Sequence, residues 1–89
     1  MIRKEIVIRN RNGLHARPAA QFVKIAAGGK SEVWVEKDNS RVNGRSIMGM
    51  MLLSAEQGSR LTIEVDGPDE DSLWEKIQEL INNRFHEEL

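Results

Sequence analysis

Two apolar rhythms alternate along this chain, and their order leaves few folds open. Short runs with an apolar residue at every second position, the period of a half-buried strand, are separated by runs at offsets of three, four and seven, the stripe of an amphipathic helix. Ile6-Val7-Ile8 is the first β-rich run, with Ile6 and Ile8 on one face, and it ends in the turn-prone Asn10-Arg11-Asn12-Gly13. Ala19, Phe22, Val23 and Ala26 then predict a helix from about Ala16 to Ala27. Pro18 falls in its first turn, where a missing N–H costs least, and Gly28-Gly29 suit a left-handed C-terminal cap. Glu32-Val33-Trp34-Val35-Glu36 alternates with Val33 and Val35 inward, and Asp38-Asn39 turns the chain into a short strand around Arg41-Val42-Asn43. Ser46 caps a second helix expected to reach about Ala55 and to end at Gly58. Leu61, Ile63 and Val65 alternate with Thr62 and Glu64 as a fourth strand. Asp69-Glu70-Asp71 places acids in the first turn of a last helix, whose inward stripe is Leu73, Ile77, Leu80 and either Ile81 or the stem of Arg84.

The order is therefore β-α-β-β-α-β-α, and strands with one apolar face suit an antiparallel sheet covered on one side by helices. The expected class is α+β, an open-faced sandwich of four antiparallel strands under three helices, formed as a single domain over residues 1–89. Trp34, in phase with Glu32 and Glu36, then belongs to the uncovered face, where an aromatic stabilises cross-strand contacts.

Composition narrows the function classes. A net charge of −1 offers no basic field for nucleic acid. No apolar run approaches the ~18 residues of a membrane span. The start, Met1-Ile2-Arg3-Lys4-Glu5, lacks the apolar core of a signal peptide, which reads as a cytoplasmic protein. Without cysteine there are no disulfides or thiolate metal sites, and His15 and His86 stand too far apart in sequence to suggest a metal constellation. No metal or cofactor is expected, and His86 reads as a solvated histidine at a helix end.

The chemistry concentrates in Gly13-Leu14-His15-Ala16-Arg17-Pro18-Ala19. His15 falls at a helix start, where unpaired N–H groups and the positive end of the macrodipole favour anions, phosphate above all. Arg17 adds forked donors matched to phosphate oxygens. Gly13 permits a tight entry that turns the histidine outward. A neutral imidazole supplies the nucleophile.

This run resembles the active-site motif of the HPr family, the histidine-containing phosphocarriers of the phosphoenolpyruvate-dependent sugar phosphotransferase system. Asn43-Gly44-Arg45-Ser46-Ile47-Met48-Gly49 resembles the regulatory-serine region of the same family, and the likeness runs over essentially the whole chain. It implies that His15 takes a phosphoryl group on Nδ1 from enzyme I and hands it to sugar-specific IIA proteins. Such a protein is a carrier with a phosphohistidine intermediate, not a turnover enzyme by itself, and it is expected to be monomeric. The resemblance also implies phosphorylation of Ser46, with HPr kinase/phosphorylase and a catabolite-control transcription factor as further partners. Asn12 matches a position that can bond the phosphoryl group, although Asn before Gly is also an ordinary turn residue. Ile47, Met48 and Met51 are candidates for an adaptable docking patch, whereas Met50 and Leu53 are assigned to the core. A nitrogen-type or purely regulatory phosphorelay shares the His15 chemistry and stays open as the alternative. A module that only docks to transcription factors is disfavoured, because family members of that kind lack the histidine.

Overall fold

A computed structural model describes residues 1–86. The β-branched and alternating runs form one four-stranded antiparallel sheet from β1 (Ile2–Val7), β2 (Glu32–Lys37), β3 (Ser40–Asn43) and β4 (Arg60–Asp66), in the spatial order β1-β4-β2-β3. The helices are α1 (Ala16–Ala27), α2 (Ile47–Leu52) and α3 (Glu70–Asn82), followed by a single tight turn at Arg84–His86. Val33, Val35, Leu61, Ile63 and Val65 are buried beneath Phe22, Met50, Leu73 and Ile77 of the helices. Each large apolar side chain so buried contributes about 1.5–3 kcal/mol relative to exposure. Among the described residues no helix covers the opposite face. There Arg41 donates to Glu64 at 2.9 Å and to Glu36 at 3.0 Å, and its guanidinium lies 4.9 Å from the centroid of Trp34. Arg3 pairs with Glu64 from the other side. Glu64 is buried, and Arg41 foremost, then Arg3, holds its carboxyl below the ordinary value despite the opposing cost of desolvation. The uncovered face is thus closed by a charge lattice and a half-buried tryptophan.

Several boundaries differ from the sequence reading. The first strand begins at Ile2 and not at Ile6, since Arg3, Lys4 and Glu5 pair with Glu64, Ile63 and Thr62. Charged residues on an edge strand hide it from a hydrophobicity pattern. Helix α2 stops at Leu52, short of Ala55. Ser54 takes φ +50°, and Lys37 Nζ donates to the carbonyls of Leu53 at 3.2 Å and Ser54 at 3.1 Å. The freed Ala55 carbonyl accepts from Leu14 N–H at 2.8 Å, and Gly58, at φ +91°, turns the chain toward β4 instead of ending a helix. Gly28 caps α1 in the right-handed region, at φ −76°, so the expected left-handed cap is absent. Gly29 serves close packing: a Cβ there would stand 2.7 Å from Leu73 Cδ2. Asp69 leaves its own helix uncapped and accepts from Lys30 N–H at 2.8 Å and Ser31 N–H at 2.9 Å, stapling the α1–β2 loop to α3. Ile81, and not the stem of Arg84, completes the inward stripe of α3. Arg84, Phe85 and His86 all have φ near +55°, a left-handed turn that drives Phe85 into the core and leaves His86 exposed beyond α3.

Candidate functional site

The segment leading to His15 is held at nearly every step. Ile8 N–H donates to Ser59 O at 2.9 Å and Ile8 O accepts from Gly58 N–H at 2.7 Å, which ties the end of β1 to the approach of β4. Gln57 Nε2 donates to Arg9 O at 3.1 Å. A β-turn follows, closed by Gly13 N–H on Asn10 O at 3.2 Å. Gly13 lies at φ +66°, and a Cβ there would stand 2.3 Å from Ala55 O, so glycine is required on both conformational and steric grounds. Leu14 is buried and carries the bond to Ala55. With these groups inward, the next side chain faces solvent.

That side chain is His15. It is the N-cap residue of α1, at φ −85° and ψ −166°, and its carbonyl accepts the first helical bond from Ala19 N–H at 3.0 Å. Its side chain makes no capping bond to the helix. The N–H groups of Ala16 and Arg17 belong to the orphan donors of the first turn, and Pro18 has none to add. No acidic residue occupies this first turn. Arg17 is exposed in it and makes no ion pair among the described residues. His15 and Arg17 are therefore both exposed within the first turn of one helix, whose orphan N–H donors favour an anion. Asn12 is exposed at the tip of the turn.

Ser46 is exposed at the N-cap of α2, and its Oγ accepts from Gly49 N–H at 3.0 Å. Ile47, Met48 and Met51 are exposed on this short helix, while Met50 and Leu53 are buried. Leu52, at 76% exposed, belongs to the same apolar surface and escaped the sequence reading, since a leucine on a helix is ordinarily core. Helix α2 packs against α1, and the chain leaving it reaches the His15 loop through the Leu14–Ala55 bond. The apolar surface and the histidine thus belong to directly bonded segments. Asn10 is the other residue missed. It is completely buried, and its Nδ2 donates to Gly13 O at 2.8 Å. Among the described residues no group of three or more His, Cys, Asp or Glu is placed to hold a metal ion, and no helix is long and apolar enough to cross a membrane.

Fold and site together define a small domain that presents one histidine, flanked by anion-binding groups, to solvent. A family model described as the PTS HPr component phosphorylation site matches residues 2–83. The phosphocarrier protein HPr of Neisseria meningitidis serogroup A is 47% identical over 87 residues, which covers 98% of each chain. A crystal structure of HPr-C-His from Thermoanaerobacter tengcongensis superposes with a TM-score of 0.95 at 46% identity, covering all of both chains. A structure of an HPr dimer from the same organism gives 0.78 at 45% identity, covering 94% of this chain and 99% of that one. The chain belongs to the HPr family, the phosphocarrier proteins of the phosphotransferase system.

Proposed function

We propose that His15 accepts a phosphoryl group from enzyme I and delivers it to sugar-specific IIA proteins. The observation that carries this reading is the exposed position of His15 at the N-cap of α1, with Arg17 in the same first turn. In the forward step a lone pair on His15 Nδ1 forms the new N–P bond while the bond from phosphorus to the donor's leaving atom breaks. The electron pair of that bond stays with the donor. No oxidant, metal or net water is needed. The product places a charged phosphoryl group beside the Ala16 and Arg17 N–H groups and within the compass of the Arg17 guanidinium. A helix end contributes only about 0.3–1 kcal/mol to an exposed anion. That modest hold suits a carrier, which must release what it accepts. Asn12, at the tip of the turn, adds a further bond to the phosphoryl group.

Ser46 is proposed as a regulatory phosphorylation site for HPr kinase/phosphorylase, with a catabolite-control transcription factor as a partner of the modified form. A phosphate there adds about −1.5 to −2 charges next to the apolar surface of Ile47, Met48 and Met51, which is proposed to dock enzyme I and the IIA proteins. The carrier is proposed to work in the cytoplasm, as a single domain over residues 1–89 and as a monomer, since one exposed histidine on one fold suffices for the exchange.

The relay is tested by charging the protein with labelled phosphate from enzyme I and phosphoenolpyruvate, removing enzyme I, and adding a IIA protein. Label should leave His15 and appear on the IIA protein. Retention of label in the presence of every sugar-specific IIA protein, with release to a regulatory acceptor, would transfer the assignment to a purely regulatory relay.

A further inference from the structure

We propose that Asn10 is a positioning residue for His15, an inference that rests on His15 being the phosphoryl acceptor. Asn10 is completely buried, an unusual place for a side-chain amide, which is costly to bury unless it is bonded. Its Nδ2 donates to Gly13 O at 2.8 Å, while the backbone carbonyl of Asn10 accepts from Gly13 N–H at 3.2 Å. Both polar groups of Gly13 are thereby held by one residue. This orients the peptide plane that joins Gly13 to Leu14, so that Leu14 N–H meets Ala55 O at 2.8 Å. The next residue is His15, whose extended ψ of −166° starts the helix. A side chain that touches neither substrate nor the reacting nitrogen thus fixes the backbone from which the imidazole projects. Asn12 is exposed at the turn tip and has no part in this clamp. A misplacement of about 1 Å at a reacting group costs up to roughly 100-fold in rate, so loosening this clamp should be visible in transfer kinetics.

Two variants separate the bond from the volume. Asn10→Ala removes both, whereas Asn10→Asp keeps the size and loses the donor to Gly13 O. The control is Leu73→Ala, which empties a buried position under Gly29. That site adjoins the far end of α1, roughly 18 Å of helix from His15. Single-turnover phosphorylation by enzyme I should be about 10- to 100-fold slower in both Asn10 variants, with the half-saturating concentration of enzyme I within about twofold of wild type. Leu73→Ala should lose as much thermal stability or more and transfer at the wild-type rate. In parallel, amide exchange at Leu14 should accelerate in the Asn10 variants relative to Ile63 in β4, and not in Leu73→Ala. Wild-type transfer rates in both Asn10 variants, or equal slowing in Leu73→Ala, overturn the proposal. If wild-type protein itself takes no phosphate, the phosphocarrier reading fails, while unchanged Leu14 exchange would separately refute the clamp.

Discussion

Replacing Gly13 by alanine sets backbone geometry directly against function. The glycine sits at φ +66°, where an L-residue costs about 1–2 kcal/mol. The added Cβ would also stand 2.3 Å from Ala55 O and 2.9 Å from Glu56 Cα. Both are backbone atoms, so no rotamer change relieves the clash and the two segments must separate. Separation breaks the Leu14–Ala55 bond, worth about 0.5–1.5 kcal/mol. The expected loss is therefore about 1.5–3.5 kcal/mol, which for a domain of this size lowers Tm by roughly 6–28 °C. Gly58→Ala provides the comparison, because Gly58 is also at positive φ, +91°, but no heavy atom lies within 4 Å of the Cβ position. It should lose only the conformational part, about 1–2 kcal/mol. Urea unfolding with linear extrapolation measures both. Phosphorylation by enzyme I should slow in Gly13→Ala and stay near wild type in Gly58→Ala. Equal stability losses, or normal transfer in Gly13→Ala, would refute the wedge of the His15 loop against Ala55.

Further expectations concern charge. Arg17→Ala removes an exposed side chain and should change stability by no more than about 0.5 kcal/mol, while phosphoryl transfer to and from His15 slows at least about tenfold, the factor for one lost charge-assisted contact of ~1.4 kcal/mol or more; a large stability loss with normal transfer would make Arg17 structural. Ser46→Asp should keep the fold, because an acid is accepted at a helix start. It should nevertheless accept phosphate from enzyme I more slowly at low salt, with the difference shrinking as salt screens the added charge; equal rates at low salt leave Ser46 as a cap only. Asp69 is held down at about 2, against an ordinary 3.8, first by the Ser31 hydroxyl and then by the Lys30 N–H. Its folded-state value is depressed, so its contribution is present above pH 3.8 and is lost as pH falls toward about 2. The acid arm of the stability–pH curve should be shallower over this window in Asp69→Asn, and an identical slope would show that the Ser31 staple is not linked to protonation.

What could be read without coordinates depended on how local its cause was. The span Ala16–Ala27 was legible because Pro18 and the apolar stripe act within the helix itself, and β2 and β4 announced themselves by alternation. The end of α2 was not, since it is set by Leu14 and Lys37, which recruit the carbonyls of Ala55, Leu53 and Ser54 from elsewhere in the chain. Residues Arg3 to Glu5 read as polar because their partners on β4 supply the reason for a strand. At the candidate site, the placement of His15, Arg17 and Ser46 at helix starts was visible in the sequence. Asn10 was not, because an asparagine in a turn looks the same whether its side chain meets water or, as here, a carbonyl inside the fold. Likewise Asp69 signalled a helix start, while its bonds reach back across the sequence to Lys30 and Ser31.

The central claim is that His15 is the phosphoryl acceptor, and the most direct measurement is the site and chemistry of the phosphate added by enzyme I and phosphoenolpyruvate. Intact mass should rise by one phosphoryl group. The product should be labile in acid and stable in base, as a phosphoramidate is, and nitrogen NMR of the imidazole should place the phosphorus on Nδ1 of His15. His15→Ala, which alters an exposed side chain with no capping bond to its helix, should remain folded and take no phosphate. Phosphate on the folded His15→Ala variant, or an acid-stable product on the wild type, would contradict the account.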